Sequence, residues 1–181
     1  VQLSNWILLG IFLFLFALYL SNVAGRLDRL HLKVENARNA LDRQLVLRTA
    51  ICKEVVKIDK LNQQHRDELT QAVNDSLAEE LLDTHTNQEW VIESKVTNVL
   101  LKLFDESFKL INFEEHTKII RETAAASRRV QFALTFYNDA ATSAIRVRKR
   151  RLVRFFRLFG RASMPKMIEF NVQIPQGLEY C

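Results

Sequence analysis

Val1–Gly25 reads VQLSNWILLGIFLFLFALYLSNVAG without one charged side chain, and its character settles where the rest of the chain works. Residues 6–24 come close to the ~20 residues an α-helix needs to cross hydrocarbon, with Trp6 and Tyr19 near the two ends as interfacial anchors. A core helix of a soluble domain is a poor alternative, because the stretch has no polar face to turn to water. A cleaved secretory leader fits less well too. No basic residue precedes the apolar run, the run is long for a leader, and Asn22-Val23-Ala24 is a poor small-x-small cleavage site. The expectation is an uncleaved single span over residues 1–25.

Charge asymmetry gives the span a direction. No charge precedes Trp6, whereas Arg26, Arg29, Lys33 and Arg38 follow it closely. Basic flanks stay on the cytoplasmic side, so the N-terminus is expected outside and the body inside.

Beyond the span the pattern is helical. Gly and Pro are scarce, with 4 and 2 residues in 181, too few for a turn-rich fold. Leu27, Leu30, Val34, Ala37, Leu41, Ile51, Val55 and Ile58 recur at three- and four-residue steps, predicting that the first helix runs on to about Leu61. Leu69, Val73, Leu77 and Leu81 mark a second helix. Ile92, Val96, Val99, Leu103 and Leu110 mark a third, after the polar joint Asp83-Thr84-His85-Thr86-Asn87, where Asn87 suits a cap. A fourth begins near Glu114 and passes through Val130, Ala133, Tyr137, Ala140 and Ala144. The expected class is all-α: one transmembrane helix continuing into an antiparallel four-helix bundle over residues 26–160. Residues 161–181 are expected to form an extended tail, in which Ile168, Phe170, Val172 and Ile174 alternate.

Polar residues interrupt the apolar stripe at Gln44 and Arg48, with Asp42 nearby. Such a seam can set register or receive a partner. The simpler reading, preferred here, is a slight roll that turns Leu45 and Leu47 inward and lets Arg48 snorkel to water. Cys52 reads as a small core residue, and neither it nor Cys181 has metal-type spacing or an evident disulfide mate.

Arg146–Arg161, RVRKRRLVRFFRLFGR, concentrates the basic charge. Arg146, Arg148, Lys149, Arg150, Arg151, Arg154, Arg157 and Arg161 supply +8 where the whole chain carries +5, so the remainder is net acidic. If the fourth helix returns to the membrane side, this strip meets anionic headgroups, at about 1 kcal/mol per basic residue. Leu152, Phe155, Phe156 and Phe159 would then dip into the interface or pack on the first helix. Phe interleaved with Arg also suits single-stranded nucleic acid, but basicity alone supplies only a sequence-independent attraction, and the membrane reading is preferred.

Two stretches resemble signatures of the LemA family of bacterial membrane-anchored helical proteins. Ala37-Arg38-Asn39-Ala40-Leu41-Asp42-Arg43-Gln44-Leu45-Val46-Leu47-Arg48 is similar to the first, and Phe132–Ala140, with its core Tyr137-Asn138-Asp139-Ala140, to the second. Phe159-Gly160 and Glu169-Phe170 resemble the family's ending. The chain departs where Thr49-Ala50-Ile51-Cys52 replaces a Pro-Asn-Leu turn, and where Ala144-Ile145 stands in place of a second Asn. The resemblance implies a bacterial plasma membrane, an extracytoplasmic N-terminus, a cytoplasmic bundle and no established catalysis. It also draws Tyr137, Asn138 and Asp139 into the polar seam.

Catalytic patterns are missing from the sequence. Four scattered Gly build no phosphate loop. Asp28-x-x-His31 stands without the second carboxylate-histidine pair that a bundle metal site uses, and His65, His85 and His116 have no carboxylate at that spacing. Glu114-Glu115-His116 suits a helix start. Glu79-Glu80 and Asp105-Glu106 diverge on helices, and Ser107 and Ser127 lack a local base. No catalytic residue, cofactor or metal is expected. The functional expectation is an accessory subunit of a larger respiratory or envelope complex, with Gly10 as a close-packing point in the span. A membrane-surface organiser acting on anionic lipid is the alternative, and self-association stays open.

Overall fold

The computed structural model describes residues 2–58, 61–82, 87–106, 113–156, 158 and 163–179. Their regular structure is entirely helical: α1 Gln2–Val55, α2 Gln63–Leu82, α3 Asn87–Glu106, α4 Phe113–Arg148, α5 Arg151–Phe155 and α6 Gln176–Glu179. Asp83 to Thr86, Ser107 to Asn112, Arg157, Phe159 to Ala162 and Cys181 lie outside the described residues, so the expectations placed on the polar joint, Ser107, Leu110, His85 and the Phe159-Gly160 pair are not addressed.

The chain divides into two compact units, Val1–Ala37 with Tyr137–Met167, and Arg38–Phe136 with Ile168–Cys181. In the first, α1 is long and apolar enough to cross a membrane; its most apolar window has a mean hydropathy of 2.3 and no buried residue. A Cβ added at Gly10 would meet nothing within 4 Å, so the chain itself supplies no close-packed neighbour there. Further along, Leu27 packs with Val147 and Val153, flanked by Val23, Leu30 and Leu158.

The second unit holds the larger core. Cys52 and Val55 of α1, Leu69, Ala72 and Val73 of α2, Val96, Leu100, Leu103 and Phe104 of α3, and Ile120 and Ala124 of α4 are all buried together. Val55, Leu69, Val73, Val96 and Leu103 are periodic apolar positions of the sequence, and the removal of this core from water drives the helices together. Helix α1 ends at Val55, short of the expected Leu61. Beyond Val56 the chain tightens: Lys57 N–H donates to Glu54 O and Ile58 N–H to Val55 O. The Ile58 carbonyl accepts from the Leu61 N–H at 3.3 Å and from Arg66 of α2 at 2.8 Å. The Arg66 contact joins the start of α2 to the turn that follows α1. Asn62 opens α2 by accepting from the Gln64 N–H at 3.1 Å, the side-chain capping that starts helices.

The segment after Met167 forms no strand, yet its alternation has a structural use. Ile168 is buried, and Phe170 stacks on Trp90 of α3 with ring centroids 5.5 Å apart and planes 14° apart. On that Trp90 ring lies Arg38 of α1, 4.4 Å from the centroid, while its guanidinium reaches both carboxylate oxygens of Glu89 at 2.9 Å. Asn171 anchors the intervening backbone by donating from N to Ser94 Oγ and from Nδ2 to Asn98 Oδ1. Leu178 of α6 enters the core, and its carbonyl accepts from Arg128 at 3.0 Å. Phe170→Ala is expected to cost about 1–2 kcal/mol and to speed amide exchange across residues 168–178. Unchanged exchange there would show that the stack does not hold the tail.

Candidate functional site

Two groups of residues concentrate the charge chemistry, one in each unit. In the second unit Arg48 is 2% exposed and does not snorkel. Leu45 is buried as expected, but Leu47 faces out at 48% exposure, so α1 is rolled to bring Arg48 inward instead. Arg48 Nη1 donates to Thr97 Oγ1 at 2.9 Å, and Nη2 donates to the Glu93 carboxylate and to the Glu93 carbonyl. The other carboxylate oxygen of Glu93 accepts from Ser76 Oγ at 2.8 Å. Thr49 lies 3.2 Å from the Ser76 hydroxyl and donates to Leu45 O. One buried ion pair thereby ties α1, α2 and α3 through hydrogen bonds on both partners. A dry pair survives when most of its donors and acceptors are satisfied in this way; of the guanidinium nitrogens only Nε has no hydrogen-bond partner among the described residues.

The other seam residues play different parts. Asp42 accepts from Arg38 Nε at 3.2 Å and so holds the guanidinium that caps Trp90. Gln44 is half-buried. Tyr137, Asn138 and Asp139 fall in the first unit: the Tyr137 hydroxyl donates to Lys166 O at 2.7 Å, Asn138 is half-buried and Asp139 is exposed. Tyr137 thereby fastens Lys166 to α4. Glu93, Thr97, Ser76 and Trp90 were not singled out in the sequence, although Glu93 and Thr97, four apart on one α3 face, carried the signal that a partner for Arg48 existed.

Cys52 sits one turn beyond Arg48. Burial pushes its thiol up from 9.0 to about 12, only partly opposed by the Arg48 charge, with Glu93 adding to the rise. It is inert as a nucleophile at neutral pH. Ser127 is buried and donates to Thr123 O, which also leaves it no catalytic geometry. Among the described residues no three His, Cys, Asp or Glu side chains gather as metal ligands.

In the first unit the basic strip is not one continuous helix. Helix α4 stops at Arg148, and Arg150, extended at φ −64° and ψ 137°, turns the chain into α5. The turn separates the cations by role. Arg148 is 8% exposed and donates from Nη1 to Ser163 O, so it secures the following segment and leaves the surface set. Arg146, Lys149, Arg150, Arg151 and Arg154 are exposed. Val153 is buried against Leu27 and Val147, which fixes the face α5 turns inward. Phe156 meets Phe16 of α1 edge-to-face at 5.6 Å, and Phe155 is 80% exposed beside it. Arg157, Phe159 and Arg161 lie outside the described residues.

With Phe156 on Phe16, a short cationic helix is laid against the uncharged stretch of α1. That arrangement can present cations to an anionic surface while sinking aromatic rings among apolar neighbours. The chain matches no protein-family model, no curated protein and no solved structure.

Removing one partner of the buried pair is the sharpest probe of the second unit. Glu93→Leu leaves Arg48 dry and is expected to cost about 3–5 kcal/mol in denaturant melts, most of it restored by adding Arg48→Met. A neutral single variant would contradict the burial. For Cys52 the sign runs toward alkaline loss. The folded thiol holds its proton above 9.0 where the unfolded one releases it, so its contribution is intact below 9.0 and fades as pH rises toward 12. In a Cys181→Ser background the folded chain at pH 8 should react with a thiol reagent at least ~100-fold more slowly than the denatured chain. Equal rates would refute the burial.

Proposed function

We propose that the chain is a non-enzymatic single-pass membrane protein, a divergent LemA-like one, that braces a larger assembly in the bacterial plasma membrane as an accessory subunit. The observation that carries this reading is the exposed aromatic pair Phe132 and Phe136. The two stand one helical turn apart on α4 and are 61% and 68% exposed, outside the buried core of their unit. Large aromatics facing water at i, i+4 spacing mark a contact surface more readily than a solvated face. The uncovered span, with Gly10 open to approach, supports a second contact within the bilayer. The N-terminus is outside and the helical body cytoplasmic, following the basic residues Arg26, Arg29, Lys33 and Arg38.

A second reading, a membrane-surface organiser acting on anionic lipid, draws its support from the Phe16–Phe156 contact and from the exposed cations of the strip. Gentle-detergent purification of the tagged chain from its native membrane separates the two. Bracing predicts a reproducible set of other membrane proteins after size exclusion. Phe132→Ser with Phe136→Ser should lower that set about tenfold or more while shifting stability by no more than about 0.5 kcal/mol. A lone monomer or a self-oligomer from the unaltered chain would overturn the brace and favour the lipid reading.

A further inference from the structure

We infer that the first unit holds a stoichiometric site for one anionic phospholipid between α5 and α1, its phosphate on Arg150 and Arg151 and its apolar portion against Tyr19, Leu20 and Val23. The inference rests on α1 being a membrane span. A cavity of about 260 Å³ lies there, lined by Tyr19, Leu20 and Val23 on one side and by Arg150, Arg151, Leu152, Val153 and Leu158 on the other. On α1, Tyr19 and Val23 are four residues apart and Leu20 and Val23 three apart, so the three share one helical face. The lining combines two chemistries, aliphatic residues with one tyrosine and a pair of adjacent arginines. Neither Arg150 nor Arg151 has a carboxylate partner among the described residues.

A free phosphate would use the cations and leave the apolar wall without an occupant. A neutral amphiphile would use the wall and leave the cations unpaired. An acidic amphiphile uses both, because guanidinium forks bind phosphate oxygens by paired hydrogen bonds. The volume is slightly below the ~300–1,000 Å³ of pockets that enclose whole ligands. It accommodates a phosphate, the glycerol and the start of a chain, with the remaining acyl length running along the uncovered face of α1. The level also fits: Tyr19 belongs to the residue types that sit at headgroup depth, and Phe156 beside Phe16 lies about two turns of helix farther into the apolar stretch than Val23.

The full chain, delipidated in mild nonionic detergent, should be titrated with phosphatidylglycerol or phosphatidylcholine and followed by native mass spectrometry. One phosphatidylglycerol should remain bound under activation that strips phosphatidylcholine. Arg150→Gln with Arg151→Gln should lower its occupancy about tenfold or more. Leu20→Trp, which fills the cavity and leaves both cations, should lower it comparably, an effect that surface charge alone does not produce. Equal retention of the two lipids, or full occupancy in Leu20→Trp, overturns the site. Inorganic phosphate should not displace the lipid; displacement at millimolar phosphate would assign the site to the free ion and overturn the lipid. Alkaline extraction of native membranes tests the span separately: a chain released from the pellet defeats the anchor, whereas a retained chain without stoichiometric lipid defeats only this site.

Discussion

A guanidinium can be kept dry only if nearly every part of it finds a partner, and that requirement organises the unit formed by Arg38–Phe136 with Ile168–Cys181. Arg48 takes Glu93 as counter-charge and Thr97 as acceptor, and Glu93 in turn takes Ser76. Satisfying all four fixes the roll of α1 and the register of α2 and α3 against it. Leu47 faces water as a result, and Cys52, one turn on, falls into the core with its thiol held neutral. Apolar packing supplies the drive to associate, but many rotations of a Leu-rich helix satisfy it; the polar cluster admits one. The Arg38–Trp90–Phe170 stack then uses the same roll, because Arg38 stands ten residues, nearly three turns, before Arg48 on α1.

A different constraint governs the other unit. Its described residues include an apolar stretch whose most apolar window has no buried residue, and five exposed cations in the basic strip. The break at Arg150 resolves the conflict between them. Without it, α4 would carry Arg and Phe around one cylinder; with it, Arg148 turns back to Ser163, Val153 goes into the core, and Phe156 reaches Phe16. The outcome is a short element with apolar contacts on one side and five exposed cations in and around it, the form amphipathic interfacial segments take.

Much of this was legible in the sequence. The four long helices follow from three- and four-residue apolar spacing, and the one long enough and apolar enough to cross a membrane from an uncharged run of bilayer length. The tail's alternation of Ile168, Phe170, Val172 and Ile174 marked residues that pack on helices, with Ile168 buried and Phe170 on Trp90, but the described tail forms no strand and closes with the short helix α6, which the expected extended tail did not include. Other features were hidden for physical reasons. Periodicity locates Arg48 at a core position but cannot show Glu93 across 45 residues of chain, so snorkelling looked cheaper than a dry pair. Helix α1 stops at Val55 and the chain tightens into three-residue turns there, with Arg66 reaching back from α2 to Ile58, a contact with no local signature. In the basic strip, charge count hid the division of labour: Arg148 and Arg150 look alike in sequence, and only the backbone turn between them makes one structural and the other surface.

The account depends most on α5 lying at a bilayer interface beside the proposed span. Depth can be read directly by spin labels placed one at a time at Phe156→Cys and Arg150→Cys, in a Cys52→Ala, Cys181→Ser chain reconstituted into anionic bilayers. Accessibility to oxygen against a water-soluble nickel chelate then reports the level of each label. The account predicts a label at 156 within the hydrocarbon and one at 150 at the headgroups. Both labels in open water, with the chain still folded, would contradict it.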